Sequence, residues 1–135
     1  MQDASPPVRR PRRARASRRV LVVDDHTDAR VGLALWLERR GFSTESAADG
    51  PGALTAVEKT RPDVVLLDLD LPGMDGFEVA RRLRARPDFE KVRLVATSGF
   101  GDSETLGKVS RAGFECHLVK PIDLGRLLDL LLALP

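Results

Sequence analysis

The sequence predicts an α/β fold, a doubly wound five-stranded parallel sheet with five helices. Three observations predict it. Short β-branched runs alternate with helix-length amphipathic stretches from residue 19 onward, which is the rhythm of a parallel sheet. Four of the runs, Val20 to Val23, Val64 to Leu67, Val92 to Ala96 and Cys116 to Val119, are apolar throughout, as strands buried on both faces must be. Each run stops at a polar residue, so one edge of the sheet gathers chemistry while its interior stays apolar.

Taken in order, the first strand is Val20 to Val23, and a weaker one, Phe42 to Ala47, lies between it and the third, Val64 to Leu67. Val92 to Ala96 and Cys116 to Val119 complete the five. Gly41 and Gly113 close the helices that precede them, and Pro51 opens a helix after Asp49-Gly50. The last helix starts at a cap, Asp123, and places Leu124, Leu127, Leu128 and Leu131 at the spacing of one buried stripe. Right-handed crossovers then set helices on both faces, with ligands bound beyond the carboxyl ends of the strands.

Length and composition bound the rest. With 135 residues, 42% apolar and 31% charged, the chain builds one core and no second domain. No apolar run approaches the roughly 20 residues that span a bilayer. Cys116 is the single cysteine, so a disulfide framework is excluded, and it reads as a small hydrophobe in a reducing compartment. The net charge of +2 conceals an asymmetry. Residues 1–19 carry seven arginines against Asp3, a net +6, leaving 15 bases and 19 acids, or −4, in residues 20–135. Residues 1–18 therefore read as a disordered arginine-rich tail and 19–135 as the folded domain. The tail is no signal peptide, because Val20 to Val23 is too short for its apolar segment. A solvated arm is a better reading than a nucleic-acid-binding one, since neither aromatics nor a reading helix accompany the arginines.

The strand ends carry the chemistry. The first stops at Asp24 and Asp25, the third at Asp68, the fourth at Thr97 and Ser98, and the fifth at Lys120 before Pro121. Three carboxylates, a hydroxyl and an ammonium converge on one cleft. Crowded carboxylates repel, and a cation is the economical remedy. With no Cys or His at the strand ends, the donors are oxygens and suit Mg²⁺ together with phosphate oxygens. Asp68 could then attack a phosphoryl group in line, with Ser98 donating to a transferred oxygen and Lys120 offsetting charge. A lone Asp at a strand end is usually a cap or turn former. Five such residues at successive strand ends are hard to attribute to capping.

The segments VLVVDDHTDAR (20–30), VVLLDLDLPGMDGFEVARRLR (64–84), LVATSGFG (94–101) and FECHLVKPID (114–123) resemble the receiver domain of two-component response regulators, over residues 19–134. The likeness is to single-domain receivers similar to CheY and to receiver segments of hybrid histidine kinases. It implies a flavodoxin-like strand order 2-1-3-4-5, Asp68 as phosphoacceptor, and Mg²⁺ held by Asp24, Asp25, Asp68 and the backbone carbonyl of Asp70. By the family's spacing to Lys120, the conserved hydroxyl is Ser98, with Gly99 after it, rather than Thr97. Lys120 pairs with phosphoryl oxygens, and the Lys120–Pro121 bond is cis in many members. His117 takes the position of the switch aromatic and so couples with Ser98, which opens a route to pH dependence. Asp70 places an extra carboxylate at the cleft mouth, where it is expected to alter the lifetime of the phosphorylated state.

The resemblance further implies a cytoplasmic protein phosphorylated by a histidine kinase, a histidine phosphotransfer protein or a small acyl phosphate. It is no enzyme beyond phosphorylating and dephosphorylating itself. Output is altered binding of a downstream protein partner, by a monomer or a phosphorylation-dependent dimer, with no membrane contact. Direct DNA binding is not expected, as only Pro135 follows the last helix. Gly107 softens the fourth helix, easing a rearrangement around it and the fifth strand. Two alternatives compete. A haloacid dehalogenase-like phosphohydrolase shares the Asp68-Leu69-Asp70 pattern, but in that class the acidic pair follows the lysine and a cap domain needs more chain. A receiver-like binding module without phosphorylation would not need all five key residues.

Overall fold

In a computed structural model that describes residues 18–134, the order of elements is β1 (Arg19–Val23), α1 (Thr27–Glu38), β2 (Ser43–Ala47), α2 (Gly50–Thr60), β3 (Val64–Asp68) and α3 (Gly76–Arg84). A 3-10 turn (Pro87–Phe89), β4 (Arg93–Ser98), α4 (Ser103–Arg111), β5 (Cys116–Val119) and α5 (Leu124–Ala133) complete it. All strands are parallel, in the order β2-β1-β3-β4-β5. The five strands, five helices and strand order are those expected. The arginine-rich tail lies, apart from Arg18, outside the described residues. Arg18 itself adjoins the start of β1: its carbonyl accepts the Ser43 N–H at 3.1 Å and its guanidinium donates to the Leu131 carbonyl at 3.1 Å.

Alternation along the strands divides the core in two. Leu21, Val23, Val65, Leu67, Leu94 and Ala96 face α2, α3 and α4, where they meet Val57, Val79, Leu83 and Val109. Val20, Val22, Val64, Leu66, Val95 and Leu118 face α1 and α5, and pack with Leu37, Leu127 and Leu131. The three central strands are covered on both sides, which is why their sequences show no polar alternation.

Helix starts follow short-range chemistry. Asp49, Asp75, Asp102 and Asp123 each accept a backbone N–H of the first turn, from Gly52, Glu78, Thr105 and Arg126, at 2.7 to 3.1 Å. Gly41 and Gly113 take positive φ at 94° and 89°, ending α1 and α4 as anticipated. Arg61 also lies in the left-handed region, φ 51°, at the end of α2, with no glycine to announce it. Gly76 answers a different need. A Cβ there would stand 2.6 Å from the Asp68 carbonyl, so only glycine lets α3 begin against the end of β3.

Two packing expectations are corrected. Cys116 to Val119 is not buried on both faces: β5 is an edge strand, Cys116 is half-buried and Val119 is 45% exposed. The leucine stripe of α5 starts at Leu127, not Leu124, which is 37% exposed because it sits at the first turn, ahead of the sheet surface. Leu127→Ala is accordingly expected to cost about 2 to 5 kcal/mol of unfolding free energy. Leu124→Ala should cost less than about 1 kcal/mol; denaturant titration separates the two.

Candidate phosphoacceptor site

The carboxyl ends of β1, β3, β4 and β5 lie side by side because the register pairs Val23 with Leu67, Asp68 with Thr97 and Ser98 with Val119. Asp24 follows β1 directly, Asp68 is the last residue of β3, Ser98 ends β4 and Lys120 follows β5. Backbone bonds lock these ends together: Asp24 N–H donates to the Ala47 carbonyl, Leu69 N–H to Thr97, and Lys120 N–H to Ser98.

Asp68 is 1% exposed, yet both of its oxygens are bonded. Oδ1 accepts the Asp70 N–H at 2.9 Å and Oδ2 accepts Lys120 Nζ at 3.0 Å. The same ammonium donates to Asp24 Oδ2 at 3.2 Å, so one cation bridges the ends of β1 and β3 across 52 and 96 residues of sequence. Burial alone would raise the Asp24 pKa. The His26 N–H on Oδ1 at 2.8 Å, with Lys120 and the His26 ring, outweighs it and holds the carboxyl below 3.8. Burial likewise favours a neutral Lys120, but bonds to Asp68 and Asp24 and their charges overcome it, raising its pKa above 10.5. Arg30 donates to the Asp24 carbonyl at 2.8 Å and steadies this corner.

The oxygen-rich cluster holds one residue that the sequence reasoning did not include. Asp24, Asp25, His26 and Asp68 each offer a ligand atom within 4.8 Å of the others. His26 lies beyond the strand end, at the N-cap of α1, where no apolar run marks it. Only the turn geometry, which folds it back over the two aspartates, reveals it. The donor set of three carboxylates suits a divalent cation, and the Asp70 carboxylate stands outside this cluster.

Ser98 and His117 meet in the interior. Both side chains lie on the sheet face of Leu94 and Ala96, and Ser98 Oγ is 2.9 Å from His117 Nε2. The serine hydroxyl donates to the Phe100 carbonyl at 2.9 Å and accepts the Phe100 N–H at 3.1 Å. With its one hydrogen given to Phe100, the imidazole must donate through Nε2. His117 Nδ1 is then a buried acceptor, without a hydrogen-bond partner among the described residues. Thr97 is buried, and by alternation its side chain takes the opposite face. The Lys120–Pro121 peptide is cis.

Burial pushes the His117 pKa below 6.5, partly opposed by the Asp70 charge, so the ring is neutral near pH 7. A histidine depressed in the folded state binds protons more readily when unfolded, and stability falls as pH drops through and below 6.5. Unfolding free energies compared between about pH 7 and about pH 5.5 should show this loss, and His117→Phe should show less of it.

Comparison with known proteins agrees with the geometry. The family model of the response regulator receiver domain matches residues 20–132. Sporulation initiation phosphotransferase F of Bacillus subtilis is 34% identical over 111 residues, covering 82% of this chain and 88% of that protein. The DNA-binding response regulator MtrA of Mycolicibacterium paratuberculosis is 45% identical over 103 residues, 76% of this chain but only 44% of the relative's length. The structure of the Vibrio cholerae chemotaxis protein CheY4 superposes with a TM-score of 0.81 at 30% identity, over 85% of this chain and 96% of that one. The chain belongs to the response regulator receiver domain family, the phosphorylatable switches of two-component signalling.

Proposed function

We propose that Asp68 is the phosphoacceptor and that Asp24, Asp25, Asp68 and the Asp70 carbonyl hold Mg²⁺ beside it. One observation carries this reading: the Lys120 ammonium bridges the carboxylates of Asp24 and Asp68 at the carboxyl rim of the sheet. Such a cation, placed where strand ends converge, can exchange an aspartate oxygen for a phosphoryl oxygen without losing its pairing.

Bound Mg²⁺ would offset charge on the transferred group. The chain's own residues do the rest. An Asp68 carboxylate oxygen attacks phosphorus as the bond to the donor nitrogen of a phosphohistidine breaks. The nitrogen keeps that electron pair and takes up a proton, and an acyl phosphate donor would release its carboxylate in the same way. Lys120 turns toward the arriving phosphoryl oxygens, and Ser98 redirects its hydroxyl hydrogen from the Phe100 carbonyl to one of them.

Redirecting Ser98 loosens the Phe100 turn and changes its bond with His117, which carries the event to the β4–α4 segment. That segment is lightly held. Val109 is the one buried residue of α4, and the nearest atoms a Cβ at Gly107 would meet belong to the flexible Arg111 guanidinium, in a helix interior where glycine costs about 1 kcal/mol relative to alanine. Phe100, Leu106 and Val119 are exposed around it and offer the surface for a downstream protein. The donor is a histidine kinase or phosphotransfer protein, and the chain acts in the cytoplasm as a switch, not as an enzyme of steady turnover. No helix among the described residues is long and apolar enough to cross a membrane. The tail of residues 1–18 remains, on this reading, an appendage to the switch domain 19–135.

Treatment with acetyl phosphate and Mg²⁺ should add one phosphoryl group by intact mass to the wild type and none to Asp68→Asn; equal labelling of both would refute the assignment. Asp70→Asn is expected to change the rate of phosphoryl loss, followed by the same mass measurement over time.

A further inference from the structure

The imidazole of His26 belongs to the acidic cluster by geometry. It stands at the N-cap of α1 but makes no side-chain capping bond. Its backbone is fixed on both sides: the N–H donates to Asp24 Oδ1 at 2.8 Å and the carbonyl accepts the Arg30 N–H at 3.0 Å. The ring is thus carried on the rigid first turn of a helix while its side chain stays 75% exposed, open to an ion arriving from solvent.

Its Nδ1 stands 3.3 Å from Asp24 Oδ1 and 3.3 Å from Asp25 Oδ1. Neighbouring ligand atoms on an ion with bonds of about 2.1 Å are about 3.0 Å apart in octahedral and about 3.4 Å apart in tetrahedral geometry. The observed separations fall between the two. The division of labour on Asp24 points the same way. Its Oδ2 is occupied by Lys120, whereas Oδ1 faces His26. The two aspartate oxygens and the imidazole nitrogen therefore form one triangle, built with the Asp24 oxygen that the ammonium does not use.

We propose that His26 Nδ1 is a ligand of the divalent ion at this rim, completing a nitrogen-and-carboxylate set with Asp24 and Asp25. The inference rests on the phosphoacceptor reading above and refines which cation that site takes. An all-oxygen set suits Mg²⁺, whereas an imidazole among carboxylates favours first-row ions from Mn²⁺ through Co²⁺ and Ni²⁺ to Zn²⁺. To bind through Nδ1 the ring keeps its hydrogen on Nε2 and offers the Nδ1 lone pair to the ion.

The test uses the full, tag-free chain. Pulsed EPR of bound Mn²⁺ should show nitrogen-14 modulation from a coordinated imidazole, absent in His26→Phe. Calorimetric titration should show Ni²⁺ affinity reduced about tenfold or more in His26→Phe, with Mg²⁺ affinity changed far less. His26→Gln, which restores a polar side chain without an imidazole, should behave as the phenylalanine variant does. Mn²⁺ bound to the wild type without nitrogen modulation, or equal loss of Ni²⁺ and Mg²⁺ binding in both variants, overturns the role of His26 and leaves the phosphoacceptor reading standing. Failure of the wild type to bind either Mn²⁺ or Mg²⁺ overturns both.

Discussion

One ammonium group organises the functional edge of this domain. Lys120 Nζ lies 3.0 Å from Asp68 and 3.2 Å from Asp24, and without it two carboxylates on adjacent strands would face each other, one of them almost fully buried. Leaving such charges unpaired is costly, and the pair shifts make the same point from the other side: the lysine is held protonated and Asp24 held ionised despite burial. The bridge spans the sheet from β1 to β5, so it forms only once all the central strands are registered. The site is thereby a product of the fold rather than of any local motif.

The sheet supplies that registration cheaply. Its central strands present apolar side chains on both faces, and the helices divide into a pair on one side and a trio on the other. Polar chemistry is displaced to the rim, where the apolar runs end. The same alternation that buries Leu94 and Ala96 carries Ser98 to the face where His117 waits, and sends Thr97 to the other. Strand parity thus brings the serine hydroxyl and the imidazole together. A serine hydroxyl shared between a loop backbone and a buried imidazole has few ways to move, and any demand on its single hydrogen is felt at Phe100.

How much of this was legible in the sequence depends on range. Strand ends, and the aspartates, serine and lysine that follow them, are readable because apolar runs must stop somewhere and parallel strands stop along one edge. Asp49-Gly50-Pro51 and Asp123 are readable as helix starts because capping is a contact within three residues. Tertiary placement is not. Val119 reads like a core valine and is exposed because β5 is the edge; Leu124 fits the helical period but precedes the point where α5 meets the sheet. The left-handed turn at Arg61 has no glycine to signal it. His26 is illegible for a related reason: it lies off the strand, and only the turn of Asp24 onto its backbone N–H brings the ring beside the carboxylates.

Whether Lys120 and Ser98 serve a phosphoryl group on Asp68 is decided by a crystal structure of the chain loaded with Mg²⁺ and beryllofluoride, a phosphoryl mimic. The mimic is expected on an Asp68 carboxylate oxygen, with Lys120 Nζ and Ser98 Oγ each bonded to a fluorine and the cation against Asp24 and Asp25. An unmodified Asp68 still bridged to Asp24 by Lys120, with the mimic elsewhere or unbound, would contradict it.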